Sequence, residues 1–149
     1  MRPDKFTQKM QEALQASQTV AADLGNQEIT NEHFLVALLD QTDGLTRPLL
    51  EKMGVNVADL RSRLTRELER RPKVQGESLN QGIGNDLRST IDAAEKEMAR
   101  MKDEFLSAEH FLLALADGKS AAAKLLKDVG VTRDKLMQAL QQVRGSQRV

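Results

Sequence analysis

An all-helical fold built from two related halves is what the sequence predicts, and three observations carry that expectation. Residues 28 to 40, EITNEHFLVALLD, and residues 105 to 117, FLSAEHFLLALAD, agree at seven of thirteen positions, where unrelated segments of this composition share roughly one. Apolar residues recur at three- and four-residue spacing through both halves, and no stretch alternates as a strand does. Prolines and glycines interrupt the pattern in one internal segment, RRPKVQGESLNQGIG, at 70 to 84.

The elements follow in chain order. Phe6, Met10, Ala13, Leu14, Ser17, Ala21 and Leu24 mark one face of a first helix over about 4–24, which Gly25 stops. Thr30 is placed to cap a helix over 31–40, with Glu32 near its positive end. A third helix over 46–53 ends at Gly54, and Asn56 caps a fourth over 57–70. After a linker over about 71–83 the pattern restarts. Helices are expected over 84–102, 108–116 (capped by Ser107, with Glu109 next inside), 120–128 (stopped by Gly130) and 133–143 (capped by Thr132).

An offset of 77 pairs Met10 with Leu87, Leu14 with Ile91, Leu24 with Met101 and Ile29 with Leu106. Beyond the repeated helices the offset becomes 76, which lays LLEKMGV at 49–55 on LLKDVGV at 125–131. Repeat one therefore runs over about 4–70 and repeat two over about 84–143, with 144–149 left as a tail. A half of about 65 residues is a marginal core alone, so the two halves are expected to pack about an approximate two-fold axis, leaving a groove between them.

Composition narrows the function classes. The 149 residues fit one domain with a real core. With 40% hydrophobic and 30% charged residues, no run long enough for a membrane span and a polar continuation after MRPDK, a cytoplasmic protein is expected. The absence of cysteine removes disulfides, thiolate nucleophiles and cysteine-bound zinc. Zero formal net charge gives no one-signed field toward nucleic acid or an anionic membrane, and no Trp or Tyr is present to stack on bases.

Three motifs invite chemistry and have plainer readings. DGKS at 117–120 ends like a phosphate-binding loop, but the pattern needs glycine where Leu113 stands inside a helix, so a turn with Ser120 as a cap is the expectation. His33 and His110, the only histidines, each follow a glutamate; a metal pair across the axis is one reading, and a first-turn histidine reaching a polar neighbour is the other. RSRLTRELERR at 61–71 carries five arginines, but Glu67 and Glu69 interrupt them and Leu64 and Leu68 face inward, which describes a solvated amphipathic helix.

MRPDKFTQKMQEAL, NQEITNEHFLVALLDQTDG, LLEKMGV, RPKVQG and KDEFLSAEHFLLAL together resemble the N-terminal domain of ClpB-type disaggregases, a double Clp repeat, over the whole chain. The resemblance implies a binding module rather than an enzyme, a monomer that captures apolar segments of unfolded or aggregated proteins. It implies ATP and magnesium, a hexameric ring and a DnaK-type partner system only through other parts of a parent protein, with no cofactor and no metal here. It implies substrate-binding roles for Thr7, Asp103 and Glu109, with Leu87, Ile91 and His110 along an apolar groove. Without the resemblance, Thr7, Asp103 and Glu109 read as residues that satisfy nearby helix ends. They occur once: their repeat partners are Gly84, Asn26 and Glu32. An adaptor-docking domain of a protease-associated Clp unfoldase and, more remotely, a metal- or nucleotide-dependent enzyme stay open at this point.

Overall fold

The computed structural model describes residues 3–74 and 81–144. A short 3-10 turn, Pro3–Lys5, leads into α1 (Gln8–Asp23), β1 (Glu28–Ile29), α2 (Asn31–Leu39), α3 (Thr46–Lys52) and α4 (Val57–Glu69). The second half repeats the order with β2 (Gly82–Ile83), α5 (Asn85–Arg100), α6 (Ala108–Ala116), α7 (Ala121–Asp128) and α8 (Arg133–Arg144). The fold is all-α, and no helix among the described residues is long and apolar enough to cross a membrane.

The repeated word forms the centre. Every residue of α2 and of α6 is buried, the stretches FLVALL and FLLALA because they are apolar all round and the first-turn Glu and His through polar partners. Phe34 and Phe111, equivalent at the 77-residue offset, meet with ring centroids 4.6 Å apart at a tilt of 43°. That tilted geometry keeps the two rings from a face-to-face sandwich, which aromatic quadrupoles disfavour. Around this pair α1 packs on α2 and α5 on α6 within the halves, while α2 touches α5 and α7, α4 touches α7 and α3 touches α8 between them.

Several element boundaries depart from the sequence expectation, three of them at the joins between the halves and at the end of the last helix. The first helix starts at Gln8, not 4, because Thr7 is extended (φ −64°, ψ 163°) and its Oγ1 accepts the Met10 N–H at 3.2 Å as an N-cap. Gly82 and Ile83, expected in the linker, form β2 and pair in parallel with Glu28 and Ile29. Two-residue strands are too short for alternation to reveal them. Phe6 and Leu106 make the equivalent parallel bridge, held by Thr7 N–H to Leu106 O (3.0 Å) and Leu106 N–H to Lys5 O (2.8 Å). The segment leading each half thus crosses to pair with the other half. Finally, Arg144 is helical, whereas the sequence reading began the tail there; the remainder of the expected linker, 75–80, and of the tail, 145–149, lies outside the described residues.

Helix ends behave as their residues dictate. Gly54 and Gly130 both adopt φ 84° after α3 and α7, returning Val55 N–H to Leu50 O (3.0 Å) and Val131 N–H to Leu126 O (2.8 Å). Gly25 does the same after α1 at φ 71°, but its repeat partner is Lys102, at φ 58°. A side chain is thus held in the left-handed region where the chain turns toward Asp103.

Candidate functional site

The loop between α5 and α6, with the start of α1 against it, collects most of the residues singled out in the sequence. Lys102 turns the chain, Asp103 N–H closing on Met98 O at 3.0 Å. Leu106 then pairs with the Phe6 segment and Ser107 opens α6 in extended conformation (φ −120°, ψ 175°). His110 stands three residues later, and its Nδ1 accepts the Ser107 backbone N–H at 2.9 Å. An imidazole that accepts there carries its proton on Nε2, which donates to Asp103 Oδ2 at 2.6 Å.

Arg144, at the end of α8, completes the network. Its guanidinium donates to both Asp103 oxygens, at 3.1 and 2.7 Å, and lies 3.5 Å from Glu109 Oε2. The bonds to Asp103 hold the Arg144 charge still more firmly, raising its pKa. Glu109 Oε1 accepts the Ser107 hydroxyl at 3.0 Å. Asp103 is 8% exposed and Glu109 4%, so two carboxylates sit below the surface against one arginine, a geometry in which each charge depends on its partner.

The equivalent place in repeat one keeps the histidine and loses half of the charge. His33 Nδ1 accepts the Thr30 N–H at 2.9 Å and Nε2 meets Asn26 Oδ1 at 2.9 Å. Glu32 pairs with Arg71 and its Oε2 accepts the Ala122 N–H at 2.8 Å, pinning the start of α7 across the seam. Both histidines therefore have both ring nitrogens committed, as the plainer sequence reading expected. Among the described residues no group of three or more His, Asp or Glu is arranged to hold a metal ion. Ser120 caps α7, accepting Ala123 N–H at 3.3 Å, and Leu113 is inside α6 as expected, so DGKS is a turn.

The structure brings Asp103, Glu109 and His110 together and places Thr7 one backbone pairing away, half-buried at the cap of α1. It does not place Leu87, Ile91 and His110 along an open groove. All three are 0% exposed: α5 turns Leu87 and Ile91 inward on α6, and His110 is buried in the first turn of α6 itself. Glu97 and Ala94 share the buried face, Glu97 being held by Arg133 through bonds of 2.8 and 2.7 Å that keep its carboxyl below the usual range. Two residues escaped the sequence reading. Arg144 falls beyond the apolar period and meets Asp103 41 residues away, a contact that spacing does not signal. Phe105, inside the repeated stretch, is 43% exposed next to fully buried Leu106. Phe6 lines a cleft of about 390 Å³ together with Pro3, Gln11, Leu14 and Gln15.

The model of the Clp repeat N-terminal domain family matches residues 5–129, spanning both halves of the helical double repeat. The chain belongs to that family. Its kinship runs to ClpB in particular: over 149 residues it is 38% identical to the chaperone protein ClpB of Vibrio cholerae, covering 100% of this chain and 17% of that protein. The likeness of fold extends to the Hsp104 N-terminal domain of Candida albicans, with a TM-score of 0.81 at 21% identity over 97% of this chain and 94% of that one. It extends also to a ClpV N-domain solved in complex with a VipB peptide, with a TM-score of 0.76 at 21% identity over 94% and 87% of the two chains.

Proposed function

We propose that this domain captures exposed apolar segments of unfolded or aggregated proteins, weakly and reversibly, for a ring formed by the rest of a longer parent protein. The observation that carries the reading is the 38% identity to a ClpB chaperone along the entire chain. On this reading ATP and magnesium, the hexameric ring and contacts with a DnaK-type system belong to other modules of the parent, and the setting is the cytoplasm.

Differences in burial support one division of roles within the site. Phe105 is the exposed apolar group, and the cleft beside Phe6 and Leu14 offers further apolar surface. Thr7, at the rim, supplies a polar contact. Asp103 and Glu109, closed over by Arg144, act as positioning residues that fix the loop carrying Phe105. Contact by area tolerates varied sequences, and ordering a flexible segment offsets much of the gain, which keeps capture weak.

Chemical-shift mapping with a permanently unfolded model protein tests this. Shifts are expected at Thr7, Leu14 and Phe105, with Phe105→Ala weakening binding by about tenfold while the domain stays folded. Equal shifts with a folded control, or shifts confined to another face, defeat the reading. A second reading, docking of one defined partner, draws support from the ClpV N-domain solved with a VipB peptide; saturable one-to-one binding to a single folded protein, with no response to unfolded chains, distinguishes it.

A further inference from the structure

The seam between α4 and α7 has charge and shape that the site above does not use. Arg63 and Arg66 on α4 and Arg70 at its C-cap stand at three- and four-residue spacing, presenting three guanidinium groups along about 10 Å. Opposite them Ala121, Lys124 and Leu125 of α7 complete a groove of about 560 Å³. Most cations here are already matched: Arg63 pairs with Asp59 at 3.0 Å, Arg70 with Glu67 at 3.7 Å, and Arg71 turns inward to Glu32. Among the described residues Arg66 and Lys124 make no ion pair, and both are exposed. Between them lies half-buried Leu125 beside Ala121, an apolar floor flanked by two uncompensated positive charges from different halves of the molecule.

We propose that this groove is a second docking surface, for an acidic segment of a partner protein that sets one apolar side chain on Leu125 and carboxylates on Arg66 and Lys124. Charge complementarity selects the occupant. Nucleic acid fits poorly, because Glu67 stands among the cations and the groove has no aromatic ring on which a base could stack. The surface uses none of Thr7, Asp103, Phe105 or Glu109, so it is independent of apolar capture at the α5–α6 loop.

The test is fluorescence anisotropy with a labelled five-residue peptide, a central leucine flanked by two glutamates on each side, at low and moderate salt. Binding is expected to fall at least tenfold for the glutamine analogue and for the doubly reversed variant Arg66→Glu with Lys124→Glu, to weaken with salt, and to be unchanged by Phe105→Ala. A lysine version of the peptide should bind the reversed variant. Equal binding of the glutamine analogue, indifference to charge reversal, tighter binding of a mixed-sequence DNA strand than of the peptide, or self-association of the domain that the reversal abolishes would each overturn the proposal.

Discussion

A histidine that accepts a backbone N–H through Nδ1 has no room for a proton there, and His33 is held that way at the cap of α2. Burial first and the Arg71 charge second lower its pKa to about 4, against the pull of Glu32. In the unfolded chain a histidine titrates near 6.5, so between pH 6.5 and about 4 the unfolded state takes up a proton that the folded state refuses. Stability is therefore lost as pH falls through that window, by about 3 kcal/mol at pH 4. Urea denaturation at pH 7.5 and pH 4 measures it, and His33→Gln, which keeps an acceptor for the Thr30 N–H, should show a loss smaller by that amount. Arg144→Ala at neutral pH is expected to cost about 3 kcal/mol by leaving Asp103 and Glu109 against each other with less compensation, read as a lower denaturation midpoint. At this scale the sequence was partly legible. Asn26 opposite Asp103 marks the two halves as chemically different, but that Arg144 closes over the aspartate depends on where α8 ends in space, which spacing along the chain does not encode.

Helix ends were the most readable feature, because caps act locally. Ser107, Thr30, Asn56, Ser120, Gly54 and Gly130 all stand where their chemistry predicts. Gly130→Ala tests the reason: a Cβ there meets nothing within 4 Å, so its cost is conformational alone, about 1 kcal/mol at φ 84°. The opposite change at the opposite site, Lys102→Gly, should be neutral to stabilising by up to about 1 kcal/mol, relief of the left-handed backbone being set against the freedom glycine adds to the unfolded chain. Thermal denaturation of both variants checks the pair of signs. What the elements concealed was the face of α5. Leu87 and Ile91 mark its apolar stripe correctly, yet a stripe is the same whether it meets a partner helix or a client, and here α6 fills it.

Across the whole molecule the two halves share one core, and the Phe34–Phe111 contact sits where they meet. Phe111→Ala is expected to cost about 3–5 kcal/mol and to lower a single unfolding transition rather than split it in two, as calorimetry would show. That the halves are alike and stack was legible in the repeated word; how they join was not, since the Phe6–Leu106 and Glu28–Ile29 with Gly82–Ile83 pairings involve segments of one or two residues. That joinery has a consequence for reassembly. Because each half lends its leading segment to the other, the covalent link between them is not what holds the sheet pairings in place. Fragments covering 1–74 and 81–149 are accordingly expected to complement each other when mixed, each alone having its arm and no place to lay it.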